Sequence, residues 1–433
     1  MTRPTTDRAK SPEPPRATPS TTWVPGSSQG RWQLYLCGLL LVVCTIPWRQ
    51  KTYFSGGLDP VVAAKAVIGL AALALSGIQT LRRPPKVAIG GRTITFATCY
   101  LTISVIGGWA AGTVLPSLVV ATRVAMTLAT VALLLMAFGT RAVTTALVAS
   151  LGVVAMVALA TGIGSVTSGR WEGGIPPLAP NEIAFICGGL VVYLVHRIML
   201  GTGPWAPTLA IGLFGVMWLT GSRTTTATLV LAIVVMVLQA RTFSIAAFLA
   251  MVLAVPAIAY VATATATISN LLLRGGTENV TTLSSRTIAW NAAASMDAGG
   301  MQRWFGGGLT LKRIPVSGQY WQDQILDSSW VSALVQAGRL GLVVVLLWVV
   351  STAWAALSSE RSWRILWTGL LAFIVPRSLL ESGMFDASTV FILFALASLA
   401  TEGVTRASDA QEAHRLERDS PALTEAAPTG RRV

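Results

Sequence analysis

The sequence predicts an all-α polytopic membrane protein of about twelve transmembrane helices, with one large loop outside the membrane before the tenth span. Three observations carry this. Apolar residues make up 53% of the 433-residue chain and charged residues 12%. The mean hydropathy is +0.64. Apolar runs of roughly 20 residues, the length that spans a bilayer, alternate with short polar breaks. A water-soluble domain needs a charged surface, whereas lipid tails accept apolar side chains on every face of a helix.

Residues 1–31, rich in Pro, Thr, Ser and Arg, cannot bury a core and are expected to form a disordered cytoplasmic tail. They lack the apolar core and small-residue cleavage site of a secretory signal. The membrane domain is expected over 32–401, with spans near 33–48, 60–81, 93–111, 115–139, 142–163, 181–200, 205–221, 224–240, 243–265, 330–355, 363–380 and 387–401. Tight turns near Arg141 and Arg223 leave room for one span more or fewer. Residues 402–433 read as a second polar tail, also cytoplasmic.

The net charge of +14 does not imply nucleic acid, because basic residues collect at the cytoplasmic ends of spans. With the N-terminus inside, the inner side gathers Arg82, Arg83, Lys86, Arg92, Arg141, Arg197, Arg241, Arg361 and Arg364. Arg49 and Lys51 fall outside, against the trend. The same scheme places 266–329 outside, and a loop of about 64 residues in a compact protein is usually functional. Within it SSRTIAWNAAASM reads as a helix in which Arg286 and Trp290, four apart, share a face. Gly306 to Gly308 mark a turn or a close backbone approach. The four cysteines lie in apolar stretches and the two histidines are far apart, so neither a disulfide framework nor a metal site is expected.

The candidates for chemistry are arginines left on the outer side, among them Arg170, Arg223, Arg286 and Arg377. Several guanidinium groups facing one wet cavity would grip a phosphate or pyrophosphate through paired charge-assisted hydrogen bonds. Taken alone, Arg170 also fits an interfacial anchor, and Arg377 with Glu381 fits an intrahelical ion pair. Lys312 and Arg313 read as surface charges. Asp327, where the loop meets a span, fits both an N-cap and a carboxylate presented to a head group. Trp290, Trp304, Tyr320 and Trp321 fit sugar stacking, interfacial anchoring or loop packing.

Four segments together resemble the O-antigen ligase and polymerase family of bacterial envelope proteins. They are SGRWEGGIPPLAPNEIAF with Asn181, the LTGSRT turn with Arg223, SSRTIAWNAAASM followed by WFGGGL, and DSSWVSALVQAGRLGL with Asp327, Gly338 and Gly341. Their order agrees with the family from about residue 165 to 345. The resemblance implies a GT-C-like helical glycosyltransferase that needs no cofactor and no metal. Such an enzyme moves a glycan from a polyprenyl-diphosphate donor to an acceptor hydroxyl of a glycan or glycolipid. Arg223 and Arg286 would then hold the diphosphate, with Arg377, Glu381, Asn181, Arg170 and Trp290 lining the substrate site. Many ligases of the family carry a His followed by Asn where this chain has Asp327-Ser328. Asp327 would serve as the base there. A polymerase of lipid-linked repeat units shares the donor chemistry, and a lipid-linked glycan transporter is the reading from another class. Both termini are expected in the cytoplasm of a bacterial inner (plasma) membrane, with membrane lipids and the lipid-linked glycan as partners.

Overall fold

The computed structural model describes residues 28–49, 59–240, 284–295, 300–315 and 323–402. The expected span at 243–265 and the first part of the outer loop, 266–283, lie outside them, as do most of both tails. The protein is mostly helical. In chain order the helices are α1 Ser28–Thr45, α2 Pro60–Arg82, α3 Arg92–Ala110, α4 Val114–Phe138, α5 Thr140–Thr161, α6 Pro180–Met199, α7 Ala206–Leu219 and α8 Arg223–Gln239. They continue with α9 Ser284–Ser295, α10 Gly300–Phe305, α11 Ser329–Ser358, α12 Arg361–Arg377 and α13 Thr389–Glu402. Helices thus coincide with the expected spans from 33–48 to 224–240 and from 330–355 to 387–401.

Among the described residues six helices, α2 to α6 and α11, are long and apolar enough to cross a bilayer. Helix α7 has 14 residues, about 21 Å at 1.5 Å per residue, short of a hydrocarbon core of about 30 Å. One antiparallel pair of three-residue strands, β1 Arg313–Pro315 and β2 Asp323–Ile325, qualifies the all-α expectation; among the described residues all other regular structure is helical. The pair doubles the chain back on itself before α11.

Local chemistry sets the helix starts. Asp59 accepts the Val61 N–H at 3.1 Å ahead of α2, whose first residue is Pro60. Pro180 opens α6, and the Glu182 carboxylate takes the Ala179 N–H at 3.0 Å. Ser328, not Asp327, caps α11 by accepting from Val331. Inside the apolar helices many hydroxyls bond a carbonyl one turn back, as Ser76 does to Ala72, Ser104 to Tyr100 and Thr130 to Met126. A polar side chain satisfied within its own helix can sit where water cannot reach it.

Helix α13 is buried along its whole length and packs Phe391 and Phe394 against Trp348 of α11, whose indole N–H bonds its Ser398 hydroxyl. Around it α12 packs on α8 and α6, α3 on α11 and α4, and α2 on α1 and α4. Helix α2 is largely exposed, with apolar Val67, Leu70 and Leu81 facing outward, as lipid contact requires.

Contacts between helix ends divide the molecule in two. At one end the Lys86 backbone N–H bonds the Met136 carbonyl, Arg83 covers the Phe138 ring, Arg92 meets Ser351 and Thr401, and Arg361 bonds the Ala240 carbonyl. Arg92 also pairs with Glu402, which the sequence places in the tail and the structure buries at the end of α13. At the other end lie the starts of α6, α8 and α11 and the end of α12.

Candidate functional site

The site is assembled from this second end. The loop before α6 lies across the α7–α8 turn: the Trp171 N–H bonds the Leu219 carbonyl at 3.3 Å, and Arg170 Nε bonds the Thr220 carbonyl at 2.9 Å. That fixes the Arg170 guanidinium, whose Nη2 reaches Asn181 Oδ1 at 3.3 Å. Asn181 is the second residue of α6, and its Nδ2 donates to Glu381 Oε1 at 2.8 Å. Arg377, the last residue of α12, donates from Nη2 to the Asn181 carbonyl at 3.1 Å and from Nε to Thr225 Oγ1 at 3.3 Å. Its guanidinium lies 4.8 Å from the Phe185 ring centroid, a cation–π contact. Thr225 in turn meets Ser222 Oγ at 2.9 Å.

Four residues expected at a substrate site, Arg170, Asn181, Arg377 and Glu381, therefore form one connected polar group around Asn181. Arg377 is 3% exposed, and the groups it bonds are those that join α12 to α6 and α8. Its side chain ties α12 to α6 and α8. The Glu381 carboxylate reaches across to α6, while its N–H closes the helical turn onto the Arg377 carbonyl at 3.0 Å.

Arg223 begins α8, directly after Ser222, with an exposed side chain. Asp327 lies two residues before Ser329, whose N–H and hydroxyl both reach the Glu381 carbonyl, at 3.3 and 3.0 Å. Asp327 thus stands at the rim of the same group. Arg286 lies on α9, and its side chain is outside the described residues. Trp290, one turn on, packs against a small core of Ala289, Ile314, Leu326 and Val335 that fastens α9 to the start of α11. Among the described residues its buried indole N–H has no hydrogen-bond partner. Trp290 is thereby held in the packing of the loop, and α9 stands at the same end as Arg223.

Beside this group lies a cavity of about 100 Å³, lined by Tyr100, Lys312, Ser329, Ser332, Gln336 and Asp386. Lys312, read from sequence as a surface charge, is ion-paired with Asp386. Burial alone would raise the Asp386 carboxyl, but the Lys312 ammonium, with Arg123 and the Ala387 N–H, holds it below the usual carboxylate value. This pair was invisible in the sequence because its members are 74 positions apart. Lys65 of α2 and Arg123 of α4, single cations within apolar helices, also went unread, although such residues signal a wet or internal position. Among the described residues no group of three His, Cys, Asp or Glu side chains could hold a metal ion.

No family model matches the chain, and no curated protein matches it.

Proposed function

We propose that this protein is a membrane glycosyltransferase of the O-antigen ligase type, acting on a polyprenyl-diphosphate-linked glycan at the outer face of a bacterial plasma membrane. The observation that carries the reading is the polar group around Asn181. It joins three helix ends and two loops that the sequence singled out separately, at the end away from the basic cluster of Arg83, Lys86, Arg92 and Arg361. In this reading the chain is GT-C-like with about twelve spans and cytoplasmic termini.

The reaction is a displacement at the anomeric carbon. The acceptor oxygen forms the new C–O bond as the bond to the diphosphate breaks. The diphosphate leaves with the electron pair, and Asp327 takes the acceptor proton. The leaving group is already an anion, so cations oriented before the reaction lower the barrier by meeting the charge it gains. Arg223 and Arg286 supply that charge. Arg170, Asn181, Arg377 and Glu381 hold the turn bearing Arg223 against α6 and α12. The polar cavity beside Ser329 offers hydroxyl, amide and charged partners to sugar hydroxyl groups.

The test uses purified protein in nanodiscs with a synthetic undecaprenyl-diphosphate glycan, following both free undecaprenyl diphosphate and the glycosylated acceptor. Arg223→Ala and Arg286→Ala are expected to lower turnover by about 100-fold or more, the scale of losing a transition-state charge partner. Full turnover by either variant removes that residue from the mechanism. No consumption of the donor by wild-type protein, with any acceptor, sinks the reading.

A further inference from the structure

We infer that Lys65 and Arg123 form a second anion site, for a phosphate group, in the cleft between α1, α2 and α4. Both side chains line one small pocket with Cys44, Gly69, Thr127 and Ala387. Lys65 stands in the second turn of α2, and Arg123 lies about 13 Å along α4 from its start. Both helices begin at the end that carries the site, so both cations are sunk below that surface.

Among the described residues both cations make their direct contacts with neutral groups. Lys65 Nζ is 6.0 Å from the centroid of the Trp48 ring, and Arg123 Nη2 reaches the Cys44 carbonyl at 3.5 Å. Among the described residues neither cation forms an ion pair. Two carboxylates are within electrostatic reach, and both are engaged: Glu182 accepts the Ala179 N–H and Asp386 is held by Lys312. Two like charges, half-buried in one cleft with no counter-ion in contact among the described residues, repel each other and forgo hydration. An anion between them reverses both costs.

The enclosed part of the pocket, about 10 Å³, takes no more than a single water, so the anion sits at the mouth between the two side chains. That mouth borders the exposed apolar face of α2, where Val67 and Leu70 point outward. A lipid head group can reach it sideways, with its acyl chains along that face. Phosphate is the matching chemistry, because an ammonium and a guanidinium can share its oxygens. The inference stands whether or not the protein transfers glycans.

The test is a titration of delipidated protein in neutral detergent, read by native mass spectrometry and thermal unfolding. The probes are dioctanoyl phosphatidylglycerol, dioctanoyl phosphatidylcholine and inorganic pyrophosphate. Phosphatidylglycerol is expected to bind and stabilise the wild type more than phosphatidylcholine. Lys65→Gln and Arg123→Gln are each expected to weaken it about fivefold, the loss per basic residue near a membrane surface. The charge-retaining Lys65→Arg and Arg123→Lys keep most of the affinity and guard against a folding defect. If pyrophosphate binds with the same dependence on both cations, the site takes free phosphate as well as lipid phosphate. If it does not, the site takes lipid phosphate alone. Wild-type affinity in the doubly neutralised protein overturns the proposal. So does an equal loss from Lys86→Gln at the opposite end.

Discussion

Arg377 and Asp386 show how single side chains take their character from partners far off in sequence. The spacing of Arg377 and Glu381 reads as an intrahelical pair, and the helical turn between them does form. Yet the guanidinium turns to the Asn181 carbonyl, Thr225 and the Phe185 ring, and the carboxylate to the Asn181 amide. Local spacing reveals which residues share a face but not which helix that face will meet. Asp386 makes the point in energetic terms, because the Lys312 ion pair sets its ionisation. Its carboxyl is depressed in the folded protein, so the folded state releases this proton more readily than the unfolded chain does. The stabilisation is complete above the ordinary aspartate value of about 3.9 and is lost as pH falls through the lower, folded value. Thermal unfolding in detergent from about pH 7 to about pH 3 should show an acid limb that Asp386→Asn flattens. Lys312→Ala should shrink or reverse that limb, because burial, opposed only by Arg123 and the Ala387 N–H, then raises the carboxyl and its protonation no longer costs stability. An acid limb identical in all three proteins would mean that the pair contributes nothing to folding.

Helix α11 shows the same dependence at the scale of an element. It reads as one continuous apolar span, but Gly338 breaks it with φ 66° and ψ −166°, a conformation that is essentially glycine's alone. The carbonyls of Val335 and Gln336, just ahead of the break, accept the N–H groups of Gly307 and Gly308 at 2.9 and 3.0 Å. The loop thus replaces the helical partners that the break disturbs. Gly306, also at positive φ, lets its backbone lie against that of Gln336 and Ala337, and Gly107 of α3 lies against the Phe305 carbonyl. The three consecutive glycines were legible as a close approach, because only a residue without a Cβ tolerates one. What they approach was not legible, since the partner is a helix whose break is not written in its hydropathy. A Cβ at Gly338 would also overlap the Trp304 backbone. Gly338→Ala should therefore cost more than the roughly 1–3 kcal/mol of backbone strain alone. Its thermal midpoint should fall well below that of Gly212→Ala, where a Cβ on α7 meets open space. Equal midpoints would show that the loop and α11 are not locked together by this contact.

Across the whole molecule, the partition of charge ties the fold to the site. Of the basic residues that hydropathy and loop position assigned to one side, Arg83, Lys86, Arg92 and Arg361 lie at one end, where the Lys86 backbone N–H bonds the Met136 carbonyl and the Arg361 guanidinium the Ala240 carbonyl. Arg49, which ran against that trend, sits at the other end in an ion pair with Asp59 at 2.9 Å. The rule counts Lys and Arg rather than net charge, so Arg49 remains an exception to it even when paired. Helical segments were therefore readable from apolar runs, and the two ends from the distribution of Lys and Arg. The burial of Glu402 against Arg92 and Thr93 was not, because a carboxylate after an apolar run reads as the start of a tail. Orientation is the property on which an outward-facing glycan site depends, and it has a direct test. With the exposed Cys99 replaced by Ser, the remaining native cysteines are buried. Single cysteines can then be placed at the exposed positions Glu172, beside the site, and Lys86, at the basic end. In spheroplasts a membrane-impermeant maleimide should label the Glu172→Cys protein at once and the Lys86→Cys protein only after permeabilisation. The reverse pattern would place the Asn181 group in the cytoplasm, where no lipid-linked glycan presented at the outer face could reach it.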